Sequence, residues 1–61
     1  MPIKLFDEVE LLRDSPEVPE LIAGSRGVVV DVTENCLMVE FPDEIEVVAL
    51  WRWDVRLIEW N

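Results

Sequence analysis

The sequence predicts a single all-β domain, and three observations lead to this prediction. Short runs of strand-forming residues alternate along the 61 residues with turn-forming Pro, Gly, Asn and Asp. Within several runs, apolar and charged residues alternate with a period of two, which is the pattern of a half-buried strand. No segment free of Pro and Gly carries an apolar stripe of helical spacing over three turns. The chain is short enough that residues 1–61 form one domain.

Five segments have the character of strands and are separated by turn residues. They are residues 6–12, 28–32, 36–41, 45–51 and 55–58. In the first segment Val9 and Leu11 alternate with glutamates, so these two side chains are expected to face the core. The valine-rich second segment is the strongest strand former of the chain. In the third segment one face collects the apolar side chains of Leu37, Val39 and Phe41.

The connections between these segments complete the fold prediction. Pro16 and Pro19 forbid a regular helix or a central strand in residues 13–23, which we expect to form a long ordered loop. Three apolar residues of this loop are expected to pack on the core: Val18, Leu21 and Ile22. A single helical turn is expected around residues 51–54. A strand, a long loop, a three-stranded meander, a short turn and a final strand together predict a small five-stranded SH3-like barrel.

Glycines and an asparagine mark the tight turns. Gly24 and Gly27 precede the second strand, where a glycine supplies a positive φ angle or permits a close approach of two backbones. Asn35 lies in the next hairpin connection and can take a left-handed conformation without a large penalty.

The charge of the chain restricts its partners. With 14 acidic and 5 basic residues, the net charge is −9 at pH 7. This balance disfavours direct binding to DNA or RNA, because the neutralisation of phosphates requires Lys and Arg. It favours a basic protein partner, which the charge would steer over long distances. A second interpretation is that the acidic residues keep a small, apolar-rich domain soluble.

No residue pattern points to a metal, a cofactor or catalysis. The chain has no histidine and Cys36 is its one cysteine, so neither a zinc site nor an internal disulfide is expected. A lone thiol suits a reducing compartment. No stretch has the length and apolar character of a secretion signal or a membrane span. We therefore predict a cytoplasmic protein that is not an enzyme and binds no cofactor.

The tryptophans are the strongest candidates for a partner-binding surface. Trp and Arg dominate the energetics of protein interfaces, and Arg52 lies between Trp51 and Trp53. Trp53 and the near-terminal Trp60 are expected to be exposed. For Trp51 two positions remain open, one in the core at the end of a barrel and one on the surface. A Pro-rich peptide groove is disfavoured, since such grooves also use tyrosines and this chain has none.

The long loop carries a second candidate surface. Asp14, Glu17 and Glu20 are acidic residues of this loop and could dock a basic partner. The alternative is that they form a solvated face without a binding role.

Two resemblances rest on the glycine turn and on the order of motifs. The first is to the KOW motif of ribosomal proteins and transcription factors, whose spacing is matched by Gly24, Gly27, Val29 and Val32. The second covers nearly the whole chain and is to the small bacterial family catalogued as domain of unknown function 4926. It is carried by an opening strand, a Pro-containing loop, the glycine turn, a Val-x-Phe strand and a closing segment. The matching residues are Leu5, Asp7, Val9, residues 14–20, Val39, Phe41, Leu50, Asp54, Val55 and Arg56.

The second resemblance implies an SH3-like fold with no assigned enzyme activity. It also implies a gene that can stand beside that of another small protein, in the manner of toxin and antitoxin pairs. The tryptophans do not belong to the family pattern.

The sequence therefore leaves three functions as candidates. The first is a non-catalytic, acidic protein-interaction module for a cognate protein, antitoxin-like or regulatory in role. The second is a self-assembling structural subunit, such as a homodimer, because a domain of this size gains stability by association. The third is a KOW-like ribosome or RNA accessory protein, which the acidic charge opposes.

Overall fold

The structure, a computed structural model, describes residues 2–59 and confirms the all-β prediction. Its elements are β1 (Glu8–Leu11), β2 (Arg26–Val32), β3 (Cys36–Glu40), β4 (Val48–Trp51), a 3₁₀ turn (Arg52–Asp54) and β5 (Val55–Leu57). The five strands form one antiparallel sheet in the order β4-β3-β2-β1-β5. The sheet is open, so β4 and β5 are its two edges. No helix within residues 2–59 is long and apolar enough to cross a lipid bilayer.

The core is built from the inward-facing residues of the strands, as the period-two pattern predicts. Val9 and Leu11 of β1 are buried, and so are the three apolar residues on one face of the third segment. Val29 and Val55 add to the same cluster from β2 and β5. The loop contributes Leu21, which is buried, and Val18, which packs against the cluster. Ile22 was expected there as well, but this prediction is wrong, because its side chain is exposed.

A bulge in β2 decides which of its residues reach the core. The register passes from Val29 opposite Val39 to Asp31 opposite Met38, so β2 holds one extra residue at this point. Without the bulge, strict alternation after the buried Val29 would turn Asp31 inward. With the bulge, Asp31 is exposed and Val32 packs against the core. The bulge therefore keeps the carboxylate of Asp31 out of the core.

The glycines have the two roles that the turn pattern predicts. Gly24 has a φ angle of 96°, and its N–H donates to the carbonyl of Leu11 at 2.8 Å. Gly27 lies where its backbone passes closely under β3, and a Cβ atom there would sit 2.6 Å from Cγ1 of Val39. Asn35 does not take the left-handed conformation that was expected to be open to it; the non-glycine residue with a positive φ among residues 2–59 is Phe6, at 71°.

The start of the fourth strand differs from the sequence prediction. The predicted segment began at Ile45, whereas β4 begins at Val48. Residues 42–47 instead form a turn and an irregular stretch, in which Ile45 is fully exposed. The single helical turn after β4 is confirmed as the 3₁₀ turn Arg52–Asp54.

Candidate partner-binding groove

A groove lies between the long loop and the edge of the sheet. One wall is formed by loop residues 13–18 and the other by β4, and Leu11 and Asp54 complete the lining. Its volume is about 120 Å³. Clefts for small-molecule ligands usually measure about 300–1,000 Å³. The groove is therefore too small for a cofactor and has the size of a subsite for one side chain of a larger partner.

The two described tryptophans form a stacked pair, and Trp51 of this pair lines the groove. Their ring centroids are 5.1 Å apart and their planes differ by 5°. The stack follows from local structure, because Trp51 ends β4 and Trp53 lies in the middle of the 3₁₀ turn that begins with the next residue. Trp51 is 53% exposed and Trp53 is 57% exposed, so the open question about Trp51 is answered in favour of the surface. Trp60 lies outside the described residues.

Arg52 forms hydrogen bonds within the domain through both its backbone and its side chain. Its backbone N–H donates to the carbonyl of Asn35 at 3.0 Å, and its guanidinium Nη1 donates to the carbonyl of Glu34 at 3.4 Å. These bonds attach the 3₁₀ turn to the hairpin between β2 and β3. The exposed Arg52 therefore supports the position of the tryptophan pair from the side of the hairpin.

The acidic loop residues divide into two groups. Asp14 and Glu17 line the groove together with Trp51. Glu20 lies apart, beside a different depression that it shares with Asp43 and residues 44–46. The structure therefore brings two of the three predicted acidic residues to the groove that Trp51 lines and leaves Glu20 elsewhere.

The loop wall is held in place by side-chain hydrogen bonds. Oδ1 of Asp14 accepts the N–H of Ala23 at 2.9 Å, which ties the start of the loop to its end. Oγ of Ser15 accepts the N–H of Val18 at 3.0 Å and that of Glu17 at 3.3 Å. Asp14 therefore has a structural task in addition to its charge.

Replacing Asp14 tests this structural task. Asp14→Ala removes the acceptor for Ala23 and is expected to lower the free energy of unfolding by about 1 kcal/mol. Asp14→Asn keeps an acceptor oxygen while removing the charge, so its stability is expected to stay within about 0.5 kcal/mol of the parent. Urea unfolding followed by tryptophan fluorescence measures both. Equal loss in the two variants would mean that the charge, and not the hydrogen bond, holds the loop.

Two ion pairs that the sequence did not reveal involve basic residues, one at the groove and one between β1 and β5. Nε of Arg13 lies 3.1 Å from Oδ1 of Asp54 at the end of the groove. Nη2 of Arg56 lies 2.6 Å from Oε1 of Glu10, its register partner across β1 and β5. Both arginine side chains are more than half exposed, so each pair contributes little to stability. Their main effect is to neutralise two of the five basic residues, and within residues 2–59 neither Asp14 nor Glu17 forms an ion pair.

The lining of the groove is a mixture of apolar and charged side chains. Its lining contains no Cys, His or Tyr, and the hydroxyl of Ser15 is engaged with two backbone amides. Within residues 2–59, no three His, Cys, Asp or Glu side chains lie close enough to share a metal ion. The lining offers apolar surface, the indole of Trp51 and three carboxylates, of which that of Asp54 is paired with Arg13.

Comparisons of the chain with protein-family models, with curated proteins and with solved structures each find no match.

Proposed function

We propose that this chain is a non-catalytic, acidic protein-interaction module of the cytoplasm that binds a basic cognate protein. One observation carries the proposal: exposed Trp51, which stacks on Trp53, lines a groove the size of a side chain together with Asp14 and Glu17. Exposed tryptophans are the residues most often found at interface hot spots. Carboxylates beside them select and steer a partner of opposite charge. Such a partner would meet the net charge of −9 with complementary charge.

The proposal includes a fold and a family. We take the open sheet to be a small SH3-like barrel that is incompletely closed. Its support is the strand order, with β1 between β2 and β5, the bulge that bends β2, and the three-residue turn that joins the two edge strands. Membership of the domain of unknown function 4926 family rests on the order of motifs described above, and the antitoxin-like or regulatory role rests on that membership.

The experiment that tests the function uses the protein encoded beside this chain. The two are co-expressed, and their masses in solution are measured by light scattering after size exclusion, alone and mixed. A stable mixed complex is expected. Chains that elute separately at every ratio, at tens of micromolar, would contradict a dedicated partner role.

Two substitutions then locate the binding surface. Trp53→Ala removes one member of the exposed stack and is expected to weaken the complex by about 2 kcal/mol, or roughly 30-fold. Glu17→Lys reverses a charge at the groove and is expected to slow association, with a smaller dependence on salt. Glu20→Lys is the matched control, because Glu20 lies away from the groove. Equal effects of Glu17→Lys and Glu20→Lys would assign the charge effect to the whole domain and not to the groove.

Self-assembly is the second candidate, favoured by the unpaired edge of β4 and by exposed apolar residues. The side chains of Phe6, Ile45, Trp51 and Trp53 leave apolar surface exposed on the chain. Two copies would each carry a charge of −9, however, and their mutual repulsion opposes association. A chain that elutes alone as a dimer at physiological salt would support this candidate over the first.

A further inference from the structure

The edge strand β4 presents backbone hydrogen-bonding groups to the groove. In an antiparallel ladder, pairs that exchange two hydrogen bonds alternate with pairs whose amides point away from each other. The N–H of Arg52 donates to the carbonyl of Asn35 at 3.0 Å, which fixes the phase of the ladder between β3 and β4. The backbone N–H and C=O of Leu50 are then hydrogen-bonded to Leu37. The backbone N–H and C=O of Ala49 point away from β3.

Ala49 is therefore the residue of β4 at which a further strand could pair through backbone hydrogen bonds. Both the N–H and the C=O of Ala49 point away from β3, and so does the N–H of Trp51, two residues further along β4. Within residues 2–59, neither amide N–H has a hydrogen-bond partner in a loop or a side chain. Ala49 and Trp51 line the groove, and the opposite wall is the loop of residues 13–18. The unpaired amides of β4 thus face the groove, and a backbone added there would displace part of the loop wall, because the groove as it stands holds about one side chain.

The side chains around this position define the occupant. A residue paired with Ala49 would direct its side chain to the same face as Ala49 and Trp51, since paired residues share a face of the sheet. The residues next to it would turn toward Val48 and Leu50, which are half-buried and pack against the core. The first position thus suits a cation that stacks on Trp51 near Asp14 and Glu17, and the second suits an apolar side chain.

From this geometry we propose that an extended segment of the basic partner adds to β4 as a sixth strand. The segment alternates basic and apolar residues, and one of its basic residues exchanges both backbone hydrogen bonds with Ala49. This inference rests on the proposed function and deepens it, because it names the mode of binding and the pattern of the partner. A second copy of this chain is a poor occupant, since it would bring a further charge of −9 to the same edge.

The test uses a defined probe, a ten-residue peptide of five Arg-Val repeats with blocked ends. Its binding to the full chain is measured by titration calorimetry at low salt. Ala49→Pro removes the outward N–H, which an edge strand tolerates because β3 does not use it. We expect this variant to bind the peptide at least tenfold more weakly than the parent chain. Ala49→Val keeps the N–H and is the matched control, expected to bind within about threefold of the parent.

Two modified peptides test the same inference with the unaltered protein. The inference can therefore be tested even if Ala49→Pro fails to fold. N-methylation of every arginine blocks the amides that face β4, and N-methylation of every valine blocks those that face away. We expect only the arginine-methylated peptide to lose binding by tenfold or more. A Glu-Val repeat peptide, which has the opposite charge, is also expected to bind at least tenfold more weakly.

Several results would overturn the inference. Equal binding by Ala49→Pro and Ala49→Val, or by the two methylated peptides, would contradict strand addition. It would not contradict the proposed role as an interaction module. Failure of the Arg-Val peptide to bind the parent chain at 1 mM would remove the basic-apolar pattern, while the co-expression experiment would still decide the proposed function. Slow hydrogen exchange at Ala49 and Trp51 in a free chain that elutes as a dimer would show that a second copy already occupies the edge.

Discussion

Gly27→Ala is expected to remove about 3 kcal/mol from the free energy of unfolding, at the upper end of what overpacking costs. A Cβ atom at this position would meet the backbone carbonyl oxygen of Glu40 at 2.8 Å and Cδ1 of Phe41 at 2.9 Å. The third neighbour, Cγ1 of Val39, would be only 2.6 Å away. Since Val39 and Phe41 are buried and the Glu40 oxygen belongs to the backbone, none of the three can yield cheaply.

A loss of this size is large for a domain of 61 residues, whose total stability is expected to be roughly 3–9 kcal/mol. Urea unfolding followed by circular dichroism measures the change. Gly24→Ala is the control: its Cβ would meet nothing closer than 3.9 Å, so only the strain of the positive φ remains, at about 1 kcal/mol. If Gly24→Ala were the more damaging of the two, backbone conformation rather than close packing would limit this turn.

Leu37→Ala is expected to cost about 3 kcal/mol, within the usual 2–5 kcal/mol for a buried leucine. Leu37 is 0% exposed and is the largest of the fully buried side chains. It lies in β3, the strand between β2 and β4, so the removed atoms leave a cavity that the hydrogen-bonded backbone around it cannot readily fill.

The control for this substitution is Leu12→Ala, because Leu12 is 50% exposed directly after β1. Its loss is expected to stay below about 1 kcal/mol. Thermal and urea unfolding of both variants provide the comparison. Equal losses at the two positions would mean that the core is loosely packed around Leu37.

The inner strands could be read from the sequence because their signal is local. Val9, Leu11, Leu37 and Val39 alternate with polar or less buried neighbours, and alternation alone assigns them to the core. The start of β4 was misplaced because Ile45 is a strong strand former, but it follows the turn at Pro42 and makes no contact with the core. Hydrophobicity predicts a strand there, and only the tertiary structure decides that the residue is exposed.

The candidate site could be predicted in its residues but not in its arrangement. The sequence selected Trp51, Asp14 and Glu17, which do line one groove, and Trp53, which stacks on Trp51. It could not separate Glu20 from them, since that separation depends on the path of the long loop. The ion pair of Glu10 with Arg56 was equally hidden, because the two residues face each other only through the register of β1 with β5.

The left-handed conformation of Phe6 also escaped the sequence signals. Positive φ angles are expected at Gly and Asn, not at a bulky aromatic residue. Phe6 is nevertheless fixed on both sides, since its N–H donates to the carbonyl of Val29 at 2.7 Å and the next residue, Asp7, closes a turn with Lys4.

The position of β1 between β2 and β5 has a consequence for synthesis on the ribosome. β1 leaves the ribosome first and can pair with β2 as soon as that strand has emerged, yet its other edge stays open until Val55–Leu57 follow. At typical rates of translation, the ribosome needs roughly one to five seconds to synthesise the residues between the end of β2 and the end of β5. During that time a nascent chain exposes part of the surface around Val9 and Leu11, which is the period in which a chaperone can compete with folding.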